Sequence, residues 1–490
     1  MLASLRLRSA TVRPAATAFN FCRQPFRAPR RHAWVAARSA NSDFSTALQE
    51  CAATLHRARG DRESDRPDAA SFELVLALVS THYDNIDTSR IPAFFQKHMA
   101  SQELLGCMVD DILVPQASDG DTVALRPGRG VNVLAYARDQ TDSTPTSATQ
   151  LVPFRMDDSN TRRSKLKSNS VGRWQNLGEY NASQQEDSSA AMSRFSSVSQ
   201  AGNLVELQPA LVELVAEKRP PLFILFADSE HHQVMDTLNQ HFPGSVKCGA
   251  IGASTPFINN QPFTLFDKRG TLSGGLVGVA LTNPTIEAMA LDHPCLEPVG
   301  GKLTIEKCRG NVILGLGGPD ARRLESLLKN HTPAYKRKDL QLFVKVYSDD
   351  KSAGEGQEQD SARVYRLTGG DPAKMNMVLD GVDELSVGQQ IQLYYAKDMA
   401  SHPTRPVPAG RGSPLVVFQA LDKEGETHHD DRAKDSSTTV KAPPATGTGD
   451  RGVVFGGASY NGFLFGKRAG ECHVPYSSGS VTFTLEESTE

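Results

Sequence analysis

The run Phe72-Glu-Leu-Val-Leu-Ala-Leu-Val79, an amphipathic stretch and Leu105-Gly-Cys-Met-Val109 are echoed by a second set. That set is Leu222-Phe-Ile-Leu-Phe-Ala227, another amphipathic stretch and Val246-Lys-Cys-Gly-Ala-Ile-Gly252. Each copy reads as a buried strand, a helix, then a second strand entering a glycine-marked turn. That is the order of a strand-helix-strand unit in an α/β sheet. A chain written this way twice is constrained to a paired α/β architecture, with helices packed on sheets; a mixed α+β arrangement is the variant.

At 490 residues the chain exceeds what one core usually organises, so two domains joined and interrupted by loops are expected. The net charge of −3 gives no concentrated basic surface, and no nucleic-acid partner is expected. No run of about 18 apolar residues appears, so no membrane-spanning helix is expected. The seven cysteines lie at 22, 51, 107, 248, 295, 308 and 472 without CxxC spacing. An odd, irregular set fits reduced thiols inside a cell better than a disulfide framework.

Residues 1–42 stand apart: they contain no Asp or Glu, while Arg6, Arg8, Arg13, Arg23, Arg27, Arg30, Arg31 and Arg38 alternate with Ala, Ser, Leu and Phe. This is the composition of a mitochondrial presequence, without the long apolar core of a secretory signal. Matrix localisation follows as the expectation, with Arg38-Ser39-Ala40 as a processing point; the alternative is a basic tail on a cytoplasmic protein.

Downstream, 43–55 reads as a helix with Phe44, Leu48, Cys51, Ala52 and Leu55 on one side. Val131–Ala137 reads as a strand, and 139–203 dissolves into Ser, Thr, Gln, Asn and scattered charge. Such a segment lacks the apolar surface to offset its ordering entropy and is read as a disordered insertion. The tract 423–448 is read the same way. Strands are also expected near 310–315, 340–347, 364–367, 375–379 and 391–396, with a helix over 319–330 and closing strands at 453–465 and 481–485. The domains are therefore drawn as 43–290 and 291–490.

The order of these elements resembles the FIST family. The residues that carry the resemblance are Leu105-Gly-Cys-Met-Val109, Gly249-Ala-Ile-Gly-Ala-Ser254, Pro298-Val-Gly300, Leu303-Thr-Ile305, Gly310-Asn-Val-Ile313 and Gly317-Gly-Pro-Asp-Ala-Arg-Arg-Leu324. The resemblance implies amino- and carboxy-terminal FIST halves and a non-enzymatic role: sensing a small ligand, such as an amino acid or a related metabolite, coupled to a protein partner. No cofactor or metal is expected. Some relatives are ubiquitin-ligase substrate adaptors, and a scaffold of that kind is one alternative, although no F-box helix set precedes residue 72.

The other alternative is an enzyme built on a cysteine or a glycine-turn anion site. Cys107 with His82 or His98, and Cys472 beside His473, supply the residue types for a nucleophile and base. Gly315-Leu-Gly-Gly318 before a helix could offer amides to an anion, though a tight turn explains it equally. His231-His232 reads as part of a helix, where neighbours diverge by about 100° and do not readily grip one metal. The ligand site is instead expected at the turns after the paired strands, at Gly106, Cys107, Gly249, Gly252, Ala253 and Ser254, with Asn461 near the end of the chain. Open α/β sheets hold ligands at such strand ends.

Overall fold

The computed structural model describes residues 33–59, 72–83, 86–116, 122–137, 150–156, 206–215, 221–229, 231–331, 341–347, 363–380, 385–396, 405–408, 413–422, 453–467 and 470–485. The chain is an α/β protein of several sheets, and the duplicated pattern is part of a threefold one.

The first repeat comprises β1 (Ala33–Ser39), α1 (Phe44–Arg59), β2 (Leu74–Ser80), α2 (Ile91–Met99), β3 (Glu103–Val109), the hairpin β4 (Asp111–Gln116) and β5 (Thr122–Gly128), and β6 (Val131–Ala137). The second comprises β7 (Leu151–Met156), α3 (Pro209–Val215), β8 (Leu222–Ala227), α4 (His232–His241), β9 (Lys247–Ile251), α5 (Pro256–Asn259), the hairpin β10 (Leu265–Asp267) and β11 (Gly270–Leu272), and β12 (Leu276–Leu281). The third opens with β13 (Pro284–Asp292) and is then interrupted by β14 (Leu296–Arg309), β15 (Val312–Gly317), α6 (Leu324–His331), β16 (Leu342–Val346), β17 (Arg363–Asp371), β18 (Asn376–Leu379) and β19 (Gln390–Ala396). After β20 (Arg405–Pro408) it resumes with β21 (Pro414–Ala420), β22 (Val453–Ser459), the hairpin β23 (Phe463–Gly466) and β24 (Gly470–Cys472), and β25 (Ser478–Leu485).

In every repeat two strands run parallel: β2 with β3, β8 with β9, and β21 with β22. The last strand returns antiparallel between the first strand and the parallel pair, as β6 does beside β1 and β2. β12 does so beside β7 and β8, and β25 beside β13 and β21. The hairpins are exchanged in a circle. β10–β11 completes the sheet of the first repeat on β3, β23–β24 completes the second on β9, and β4–β5 completes the third on β22. Strands from either side of residue 290 therefore share sheets.

Alternation along the strands explains the layering. Leu74, Leu76 and Leu78, Leu222, Ile224 and Phe226, and Val416 and Phe418 meet in one central core. The opposite face of the first sheet, with Val75, Ala77 and Val79, is covered by α1 and α2. That of the second, with Phe223 and Leu225, is covered by α3 and α4. The inserted strands β14-β15-β18-β17-β16-β19 close into a barrel with its own core, on which Leu324 and Leu328 of α6 pack. At its entry, Gly300 adopts φ +67° in a bulge of β14, and the Gly301 N–H donates to Asp320 Oδ2 at 2.8 Å. Gly318 turns at φ +111°, so the glycines on both sides of this contact serve chain reversal.

Three sequence readings change. Leu151–Met156, inside the segment 139–203 read as disordered, is β7: Val152, Phe154 and Met156 face the core, and Pro153 is accommodated because β7 is an edge strand. The rest of that segment from 157, and the tract 423–448, lie outside the described residues. β21, which sequence reading did not separate, is a fully buried strand. Residues 33–39, inside the arginine-rich segment, form β1, with Trp34 and Ala37 buried; residues 1–32 lie outside the described part.

The glycines of the repeated pattern sit within the second parallel strand, where the chains approach most closely. A Cβ on Gly106 would lie 2.2 Å from Ala77 O, on Gly249 2.1 Å from Leu225 O, and on Gly456 2.2 Å from Val417 O. These are equivalent positions, each opposite the first strand of its pair. No side chain fits without separating the strands. Replacing Gly249 with Ala is expected to cost on the order of 3 kcal/mol, read as a lowered midpoint in urea unfolding. Gly128→Ala, whose Cβ would first meet Val114 at 3.5 Å, should leave the midpoint nearly unchanged.

Candidate functional site

The sequence-predicted residues separate into two groups. Gly106, Cys107 and Gly249 are not in turns; they lie inside β3 and β9, and the Cys107 side chain belongs to the central core. Gly252, Ala253, Ser254 and Asn461 do come together where strand ends of the repeats meet. Asn461 Nδ2 donates to Gly252 O at 2.8 Å and to Ser254 Oγ at 3.3 Å, and the Ala253 N–H donates to Met108 O at 2.8 Å. The Tyr460 N–H adds a bond to Asp110 Oδ2 at 2.8 Å. These contacts tie the repeats to one another and use the groups that a ligand would otherwise engage.

The cysteines proposed as nucleophiles are inert by environment. Burial pushes the Cys107 thiol far above its ordinary range and the Cys472 thiol up to about 12, so neither is a thiolate at neutral pH. His82, offered as a base, approaches Asp111 at 3.1 Å.

A different constellation lies beside the second sheet. His231 caps the start of α4, His232 is its first residue, and both Nε2 atoms reach Glu471 Oε1, at 2.9 and 3.2 Å. His473 Nε2 lies 2.5 Å from Glu471 Oε2. The 100° divergence expected for neighbours inside a helix does not apply, because His231 precedes the helix. The two rings stack with centroids 5.2 Å apart and planes inclined by 29°. Glu471 and His473, two residues apart at the end of β24, point the same way. The sequence signal for this pair is the i, i+2 spacing of Glu471 and His473, distinct from the adjacent Cys472 and His473.

Burial opposes ionisation of Glu471, yet the close imidazoles of His231 and His473 and the charge of His232 hold its carboxyl far below the usual carboxylate range. Burial likewise works against protonation of His231, but Glu471 and the Asp228 carbonyl outweigh it and raise its pKa. His232 is pushed down, chiefly by burial.

This cluster forms one wall of a cleft where the second sheet meets the barrel. His232, Asp236 and His473 line that side, and Arg363, Arg366 and Asp380 of the barrel line the other. Phe343, Leu464 and Val474 form the apolar floor. The cleft therefore presents guanidinium and carboxylate groups around an apolar base, a composition suited to a small polar ligand carrying both charges.

The sequence model of the FIST N domain matches residues 73–319, from the start of β2 through the first two repeats to the end of β15. The chain belongs to the FIST family. FIST domains form a family associated with sensing small ligands. The matched span contains His231 and His232, whereas Glu471, His473 and the arginines of β17 come from the chain beyond it. Among the described residues of this FIST protein, no helix is long and apolar enough to cross a membrane.

Asn461→Ala should lower the unfolding free energy by about 1 kcal/mol, the scale of losing the hydrogen bonds of a half-buried amide. Urea denaturation measures this, and Asn461→Asp, which keeps the size but loses the Nδ2 donor, should show a similar loss.

Proposed function

We propose that this FIST protein is a non-enzymatic sensor of a small zwitterion, an amino acid or a close relative, held in the cleft between the second sheet and the barrel. The observation that carries this reading is that Arg363, Arg366, Asp236 and Asp380 line one cleft around an apolar floor. A planar guanidinium suits a carboxylate, and a carboxylate suits an ammonium group. Membership of a family of ligand-sensing domains supports it. Calorimetry of the full chain against the proteinogenic amino acids and their keto and amide derivatives is the direct test. At least one zwitterion should bind, and Arg366→Ala should weaken it by about tenfold or more. Ser254→Trp should leave binding unchanged; loss of binding there alone would return the site to the strand-end turn.

We also propose that the chain acts in the mitochondrial matrix. The acid-free, arginine-rich residues 1–32 support import. A cut at Arg38-Ser39-Ala40 would remove β1, which pairs with β6 from Ala33 to Ser39. Processing is therefore assigned ahead of Ala33, in the region of Arg30-Arg31. Sequencing the amino terminus of the protein recovered from mitochondria should find it at or before Ala33. A diffuse cytosolic signal from a carboxy-terminal fluorescent fusion would overturn the assignment.

A further inference from the structure

The contact between His231 and Glu471 is a close ion-pair approach without the alignment of a hydrogen bond. The two atoms approach to 2.9 Å, yet neither His231 Nε2 nor Glu471 Oε1, both buried, makes an aligned hydrogen bond. The other ring nitrogen of His231 is committed: Nδ1 meets the carbonyl oxygen of Asp228, so in the neutral ring it carries the proton and donates. Asp228 is fixed in turn, its carboxylate accepting from the Gly275 N–H at 2.7 Å. The chain Asp228–His231 therefore aims an Nε2 lone pair at a carboxylate lone pair. His232 Nε2 converges on the same oxygen.

Two acceptors face each other only where a positive charge lies between them. A proton on His231 Nε2 would satisfy its own contact with Glu471, whereas a second proton on the stacked His232 ring would place two imidazolium groups against one another. A single dication satisfies all the lone pairs at once. In a tetrahedral zinc site with ligands at 2.0–2.1 Å, neighbouring donor atoms are about 3.3 Å apart, and the donor atoms of His231, His232 and Glu471 all lie within 4.8 Å of one another. The hydrogen bond from Nδ1 to a backbone carbonyl is the usual support of a ligating histidine.

The cluster is also not a requirement of the fold. Glu471 is paired with Leu464, which lies opposite Gly249. At the equivalent register the first sheet has Thr271, paired with Phe266 opposite Gly106, and the third has Pro127, paired with Leu113. The same scaffold position carries an ionisable group in one sheet of three.

We propose that His231, His232 and Glu471, with His473 at the rim, bind one divalent transition-metal ion of the zinc class. Imidazole with carboxylate is the donor set for such ions and not for magnesium or calcium. The ion would sit in the wall of the cleft, and its binding does not depend on whether the cleft takes a zwitterion.

The test uses the full chain stripped with chelator, then titrated with Zn²⁺ by calorimetry and assayed for metal after dialysis. One equivalent should be retained, Mg²⁺ should not compete, and Co²⁺ should give the strong visible absorption of a four-coordinate site. His232→Ala and His473→Ala, whose side chains are 40% and 41% exposed and can be removed without opening the core, should each weaken Zn²⁺ by about tenfold or more. Substituting His428 and His429, an adjacent histidine pair in the polar tract 423–448, should change nothing. Binding well below one equivalent, or affinity indifferent to His232 and His473, would overturn the proposal and leave a proton as the occupant. Arg366→Ala should retain Zn²⁺ binding, so failure of the metal site and failure of the zwitterion site are read separately.

Discussion

Each of β3, β9 and β22 has one edge that its own repeat leaves open, and the hairpin of another repeat closes it. Buried backbone N–H and C=O groups must be paired, because each left without a partner costs about 1–3 kcal/mol. The exchange is circular, with each repeat completing a neighbour and being completed by another. The central core, to which all three sheets contribute alternate residues, forms only when all three are present. The strand-end bonds at Ala253, Tyr460 and Asn461 lie at the same junctions.

This interlocking also explains what the sequence made legible. β2, β3, β8 and β9 are buried on both faces, so they read as unbroken apolar runs, and the intervening amphipathic stretches name the crossovers. β21 and β22 have the same character, but residues 423–448 separate them, and the third copy loses its local signature. β7 carries only three inward residues, Val152, Phe154 and Met156, on a one-sided edge strand within a polar stretch, too few to offset composition as a signal. The barrel was legible as separate strands; its closure depends on pairings such as β14 with β19 that no local pattern encodes.

The candidate site was less legible for a related reason. Glycines mark close backbone approach whether or not a ligand is near, and here Gly106 and Gly249 admit the neighbouring strand's carbonyl. The residues that do gather charge come from three distant places: His231 and His232 before and at the start of α4, Glu471 and His473 at the end of β24, and Arg363 and Arg366 in β17. Their meeting follows from hairpin exchange and from the position of the inserted barrel, neither of which is local in sequence. Lys247 shows the same non-locality. It is buried in β9, its amine held down to about 7 by burial, and it donates to the carbonyls of Phe242, Ser245 and Lys467. One side chain thus fastens the end of α4 to the hairpin that carries Glu471.

A threefold scaffold provides three equivalent corners, and here one differs, with Glu471 where the others have Thr271 and Pro127. The barrel is inserted into the third repeat alone, directly after β13, and its β17 reaches β24, where Arg363 packs against Gly470. That gives one corner a second wall, while the equivalent Thr271 of the first sheet lies on a hairpin beside the Thr88–Arg90 turn. Glu471 replaces threonine and proline at the corner the barrel encloses, and histidines from two elements gather around it. Broken symmetry, with buried charge at the break, is hard to explain by packing, because an apolar residue would fill the corner without the several kcal/mol that burying an ion costs. Among the described residues, that charge stands in the wall of the cleft between the second sheet and the barrel.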